Sequence, residues 1–344
     1  MLIVSFLALF LASMSLTYCL YKYSLKKNII DIPNERSSHH VPVPRGGGLV
    51  VVLLFYAVLC GIRFFYLIDS PLFYALLGGI PVAIVGYVDD VRQVNSFLRL
   101  VIHLITAIWA VIMLKGGGGY YFGPHLFYGN HLSLQSILAI VVFVWFINFY
   151  NFMDGIDGLA AIETMFLCAV MAALFYFLDF FPLAYLFVAL AVITLGFYVW
   201  NRTPAKIFMG DVCSGFLGYV FATFMWYTNL HKLVPVEASI ILIAPFFYDA
   251  TYTLLLRMLQ GKQWYAAHRE HAYQRIVQLG VSHGRVCFWV LILNLFVCLP
   301  LAIIGVISNY GLLLLLLMSS LSFMIWLSIV YKQHKKRLLP IKLD

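Results

Sequence analysis

A polytopic helical membrane protein of about eleven transmembrane helices is the all-α fold that this sequence predicts, and three observations carry the prediction. Apolar residues make up 63% of the 344 positions and charged ones 10%, with a mean hydropathy of +0.95, far more apolar surface than a water-facing fold needs. The apolar residues gather in runs close to the roughly 20 residues that cross a hydrocarbon core of about 30 Å. Within each run they are continuous instead of alternating, which excludes a porin-like barrel.

The runs follow in order. The first, 2–21, has no basic leader and no small-residue cleavage site, so it is expected to stay as a helix. The polar segment "DIPNERSSHHVPVPRGGG" (31–48) leads to 48–68 and 72–88, and the third run ends on Asp89 and Asp90. "DDVRQVNSFLR" (89–99) introduces 100–114; this run and the third are short, so ten spans is the alternative count. A Gly- and Tyr-rich connection (115–131) precedes 135–153, whose end carries Asn148 and Asn151, and the sixth run is 158–178. After 183–200 comes "NRTPAKIFMGD" (201–211), then 212–230 and 237–258. "HREHAYQR" (268–275) precedes 286–308 and 311–331, and residues 332–344 form a basic tail. The chain reads as one integral membrane domain. Its six cysteines show neither metal nor disulfide spacing.

Lys and Arg concentrate in 22–47, 89–99, 201–211, 259–285 and the tail; only Arg63, Lys115 and Lys232 fall toward the other side. The positive-inside tendency puts those segments and the C-terminus in the cytoplasm and the N-terminus outside. The net charge of +8 then reflects topology and anionic lipid, not nucleic acid. Every polar cluster lies on that same side, so the chemistry is expected at the cytoplasmic membrane surface.

Each cluster has a plain reading beside a functional one. Asp89 and Asp90 could be helix-end charges, but carboxylates at a helix C-terminus oppose its dipole. Adjacent carboxylates also need a compensating cation, which a metal or Arg92 and Arg99 would supply. Asn148, Asn151, Asp154 and Asp157 cannot all face one ligand from an unbroken helix. A break near Gly155 is therefore expected, and hard oxygen donors at such a break suit Mg2+ or a nucleotide. Asp211 reads equally as an N-cap or a metal ligand, with Asn201 and Lys206 just before it. His268 and His271, flanked by Arg269 and Arg275, read as a phosphate grip and not a zinc site. Tyr273 or Trp264 offers a ring for a base. Arg36, His39, His40, Arg45 and Gly46–Gly48 could approach an anion. Asp249 reads as a functional carboxylate or as the partner of Arg257, and His103 and Glu163 as packed polar residues. Acidic donors facing His, Arg and Lys at a membrane surface describe Mg2+-assisted phosphoryl transfer with a lipid-borne reactant.

Together, "RSSHHVPVPRGGG", "GYVDD", "NFYNFMDGIDGLA", "NRTPAKIFMGD" and "HREHAYQR" resemble, in collinear order over roughly 30–285, the polyprenyl-phosphate N-acetylhexosamine-1-phosphate transferases. The last motif is closer to the O-antigen-initiating branch than to the peptidoglycan branch. The resemblance implies a multi-pass protein of the bacterial inner membrane that transfers a sugar-1-phosphate from a UDP-N-acetylhexosamine to undecaprenyl phosphate. It implies Mg2+, with Mn2+ as a substitute, and fits a homodimer. It makes Asp211 the principal metal ligand, with Asp154. Asp89, Asp90, Asp154 and Asp157 become catalytic, Asp89 being base or nucleophile. Asn151, Asn201, Lys206, His268, His271 and Arg275 fall on the nucleotide-sugar side, and Arg36, Arg45, Arg92 and Arg99 on the lipid phosphate. Direct attack and a covalent intermediate both remain open. The alternative class is a transporter or flippase of lipid-linked sugars, which should carry polar groups through the midplane or on both faces.

Overall fold

The computed structural model describes residues 2–33, 38, 41–65, 67–115, 134–263 and 268–338. It is a helical bundle whose only described strands are a two-residue antiparallel bridge, Ile30–Asp31 with Val43–Pro44. All eleven apolar runs are helical. They form α1 (Leu2–Lys26), α2 (Leu49–Phe64), α3 with α4 (Ser70–Leu77, Gly79–Val91), α5 (Ser96–Lys115), α6 (Leu134–Phe152) and α7 (Leu159–Phe177). They continue through α8 (Phe181–Asn201), α9 (Asp211–Leu230), and α10 with α11 (Val236–Leu242, Ala244–Leu259). The last are α13 with α14 (His283–Leu293, Leu299–Ile307) and α15 (Gly311–Leu338); a short α12 (Ala272–Gln278) lies between spans.

Among the described residues, eight helical segments are long and apolar enough to cross a bilayer, nine if the bent α10–α11 pair is one span. The two other runs fall short for separate reasons. Helix α2 has 16 residues. Helix α9 carries Ser214, Gly215, Gly218 and Thr223 among 17 buried residues of its 20, so it meets protein on all sides and needs no lipid-facing surface. Small residues there let backbones approach. A Cβ added at Gly218 would lie 2.4 Å from the Phe146 carbonyl oxygen.

Two runs depart from a regular α-helix next to a proline, which interrupts the amide ladder. Helices α10 and α11 meet at 88° beside Pro245. The tenth run carries a π-helical turn, Asn294–Cys298, just before Pro300. Helix α1 packs on α8 through Ser13, whose hydroxyl donates to the Ile193 carbonyl at 2.6 Å, and through Trp200, whose ring N–H donates to Met14 O at 2.9 Å. The expected tail begins as a continuation of α15, which runs to Leu338.

Candidate active site

One end of the bundle collects the carboxylates, and α9 is the element that organises them. Its first N–H groups have no partner within the helix. Asp90, at the end of α4, supplies it: one carboxylate oxygen accepts from Asp211 N at 3.0 Å and the other from Val212 N at 3.1 Å. Arg45 Nη2 closes on the same carboxylate at 3.0 Å, and the Asp90 side chain is 1% exposed. The geometry needs glycine twice. Gly210 has φ +80° and a Cβ there would lie 2.4 Å from Asp90 Oδ2; at Gly86 a Cβ would lie 2.3 Å from Asp211 O. Asp90 is thus a capping group supplied from another helix, with both carboxylate oxygens engaged. Arg45 also donates to Asp89 O at 2.9 Å, which holds it to the end of α4.

Because Asp90 caps α9, the Asp211 carboxylate is released from capping itself. It lies beside Asp89, and Arg99 joins them: Arg99 Nη1 donates to Asp89 Oδ2 at 2.8 Å and to Asp211 Oδ2 at 3.0 Å. The other Asp89 oxygen accepts from Val94 N at 2.7 Å and shapes the turn into α5. Arg99 therefore acts as the counter-cation of two carboxylates. Asn151 reaches Asp211 and donates to Ser214 Oγ at 2.9 Å.

The expected break after α6 is present. The helix ends at Phe152, and α7 begins after Gly158, which sits at φ +79°. Gly155 is pressed by Tyr273, whose hydroxyl oxygen would lie 2.0 Å from an added Cβ. In this loop the Asp154 carboxyl is held well above its ordinary range, first by burial and then by the charges of Asp211 and Asp90. Asp157 turns away from that cluster. Its Oδ2 accepts from Ala205 N at 3.2 Å and lies 3.3 Å from His283 Nδ1. That fastens the 202–206 loop and the start of α13. His283 escaped the sequence reading, because "VSHGR" resembles an ordinary helix start. Asn148 stays with the bundle, donating to Val144 O at 2.7 Å beside His103.

The His-Arg segment divides. Asp249 in α11 accepts from Ala272 N at 2.7 Å and Tyr273 N at 3.2 Å, repeating at α12 the capping that Asp90 performs at α9. Its principal partner is thus the α12 terminus and not Arg257, which bonds Glu270 at 2.9 Å. His271 is buried, 6.0 Å from the Phe152 ring. Tyr273 donates to Phe152 O at 2.8 Å and ties α12 to the helix break. Burial, with His271 and Arg257 nearby, lowers His268 to about 3. Arg275 is turned toward α15, with Nε donating to Glu270 O at 2.6 Å and Nη1 to Gln333.

Two further expectations shift. Asn201 is buried and donates to Ile207 O at 3.0 Å, holding its own loop. Lys206 is exposed, 5.1 Å over the Trp200 ring. Arg92 is exposed at the α4 terminus. Arg36, His39, His40 and Trp264 lie outside the described residues.

Among the described residues, no three His, Cys, Asp or Glu side chains form a ready-made metal cluster. The donor set nevertheless fits Mg2+, which is held by one or two carboxylates plus water and substrate phosphate rather than by an all-protein cage. Asp89 and Asp211 already converge on one positive nitrogen, that of Arg99, and Asp154 is crowded by negative charge.

Residues 72–229 match the model of glycosyl transferase family 4. A probable undecaprenyl-phosphate N-acetylglucosaminyl 1-phosphate transferase of Bacillus subtilis is 28% identical, over 82% of this chain and 78% of its own. An undecaprenyl-phosphate alpha-N-acetylglucosaminyl 1-phosphate transferase of Pasteurella multocida is 30% identical over 88% and 85%. A decaprenyl-phosphate N-acetylglucosaminephosphotransferase of Mycobacterium leprae is 27% identical over 74% and 71%.

Proposed function

Because the chain belongs to the polyprenyl-phosphate N-acetylhexosamine-1-phosphate transferases, we propose that it moves an N-acetylhexosamine-1-phosphate from a UDP-sugar to undecaprenyl phosphate. N-acetylglucosamine is the first donor to test, since the relatives' names carry it. GalNAc, QuiNAc and FucNAc complete the panel. A terminal oxygen of the lipid phosphate attacks the phosphorus that bears the sugar. The bond from that phosphorus to the bridging oxygen breaks, and UMP leaves with that oxygen. The products are undecaprenyl-diphosphate-sugar and UMP.

The observation that carries this reading is the shared guanidinium: Asp89 and Asp211 meet Arg99 Nη1 at 2.8 and 3.0 Å. A phosphoryl-transfer site has to balance several negative oxygens, and this end of the bundle is arranged for charge balance. Mg2+ or Mn2+, when bound, would neutralise diphosphate charge; Asp211 and Asp89 would hold it, with Asp154 beside them. Asn151 orients Asp211, and Asp90, through the α9 terminus, positions it. Tyr273 holds the helix break in place. Direct attack is favoured over a covalent route through Asp89, since the lipid phosphate is itself an anionic nucleophile. A phosphomonoester, with its second pKa near about 6, needs little help from a base.

The Lys and Arg asymmetry supports a cytoplasmic site in a bacterial inner membrane, with the N-terminus outside and the C-terminus inside. There the reaction would be the first membrane step of O-antigen or another surface polysaccharide. The test offers the UDP-sugar panel, undecaprenyl phosphate and Mg2+ to protein purified in detergent, and measures UMP. Acceptor-dependent release without sealed vesicles is expected. A flippase would give none, and UMP exchange into UDP-sugar without acceptor would restore the covalent route.

A further inference from the structure

Behind α12, on the side away from the carboxylates, lies a cavity of about 190 Å3 between the end of α11, α12 and α15. Its charged lining is Lys262, Arg269 and Arg275 against one carboxylate, Glu270. That carboxylate is already shared: Lys262 bonds it at 3.0 and 3.1 Å, Arg257 at 2.9 Å, and Arg275 lies at 3.6 Å. Burial opposes ionisation of Glu270, but these three cations outweigh it and hold its carboxyl below the ordinary value. One negative charge set among four positive ones, Arg269 included, leaves the cavity strongly electropositive. Gln333 fixes the wall of α15, accepting from Arg275 Nη1 and donating to Gln278 Oε1 at 2.6 Å.

The remaining wall combines the apolar Leu256 and Val330 with the polar Gln260 and His334, and Leu259 on the same turn of α11 is 86% exposed. The cavity therefore sits where apolar helix surface ends and cationic side chains begin. It is smaller than the roughly 300 Å3 at which pockets for larger ligands start, too small for a nucleotide sugar and adequate for a phosphate group. We propose that it binds a phosphate group, presented as the phosphodiester headgroup of an anionic phospholipid whose chains lie along α11 and α15. Basic pockets between membrane helices on the cytoplasmic side take such headgroups, and guanidinium groups pair with phosphate oxygens in fork geometry. The inference stands apart from the transfer reaction, since none of its residues belongs to the carboxylate cluster.

The test uses the full chain, delipidated in neutral detergent. It is titrated with phosphatidylglycerol, with phosphatidylcholine of the same chains, and with inorganic phosphate, and bound lipid is counted by native mass spectrometry. Phosphatidylglycerol should bind at least about fivefold more tightly than phosphatidylcholine, and the exposed-site variant Arg269→Gln should weaken it by about fivefold, the effect of one cation at a membrane surface. Arg269→Lys should retain most of the affinity, and it carries the test if the Gln variant elutes as misfolded protein. Equal binding of the two lipids, or an Arg269→Gln variant that binds phosphatidylglycerol as the wild type does, would overturn the site. Inorganic phosphate displacing the lipid at equal concentration would overturn the lipid as its source.

Discussion

Asp90 and Asp211 are neighbours in space with different work, and substitution should separate them. Asp90→Asn keeps the shape but weakens the cap of α9 and leaves Arg45 without its charge partner. It should cost about 1–3 kcal/mol, seen as a lower midpoint in denaturant. Asp211→Asn should abolish UMP release with no such loss, because it removes one of the charges that crowd Asp154. A midpoint that falls equally in both variants would merge the two roles. Asp154 adds a pH dependence. Its folded-state carboxyl lies above the ordinary 3.8, so its stabilising contribution is complete below about pH 4 and is lost as pH rises through the raised value. Metal-free protein should therefore show a falling Tm above that point, Mg2+ should restore it at the alkaline end, and Asp154→Asn should flatten the curve; a flat wild-type curve would contradict this. The residue types of the site were legible as polar groups interrupting apolar runs. Which carboxylate caps and which faces the site was not, because Asp90 meets a helix 121 positions downstream, and local spacing carries no trace of that.

Element by element, α9 is the axis of the site, and backbone proximity makes it so. Gly86→Ala and Gly218→Ala would each drive a methyl group into a carbonyl oxygen, at 2.3 and 2.4 Å, and should cost about 1–3 kcal/mol as overpacked contacts do. Gly61→Ala in α2 meets nothing within 4 Å and serves as the neutral control in the same thermal unfolding series; comparable losses in all three would remove α9 from its central place. The break at Gly155 was readable, since four polar residues on one unbroken helix could not share a ligand. The 88° bend between α10 and α11 was not, because hydropathy runs unbroken across Pro245 and masks the change of direction. The same blindness hid the twofold use of a span carboxylate, Asp90 for α9 and Asp249 for α12, as a cap for a different helix.

Across the whole molecule, Asp89, Asp90, Asp154, Asp211 and Asp249 gather with Arg99, Asn151 and the α12 segment at one end of a helical bundle. That one-sidedness fits an enzyme working at a membrane surface better than a conduit through it. The class of fold was legible from apolar run lengths alone. The burial of α9 was not, because a helix surrounded by protein and one facing lipid can share nearly the same composition. The central claim is that this site moves a sugar together with its phosphate. It is tested most directly by supplying UDP-N-acetylglucosamine labelled on the sugar-bearing phosphate, with undecaprenyl phosphate and Mg2+, to the purified protein and following the label. The proposed reaction puts the label in the lipid product, with unlabelled UMP in solution, and Asp211→Asn gives neither; label that stays in the aqueous nucleotide while sugar enters the lipid would contradict it.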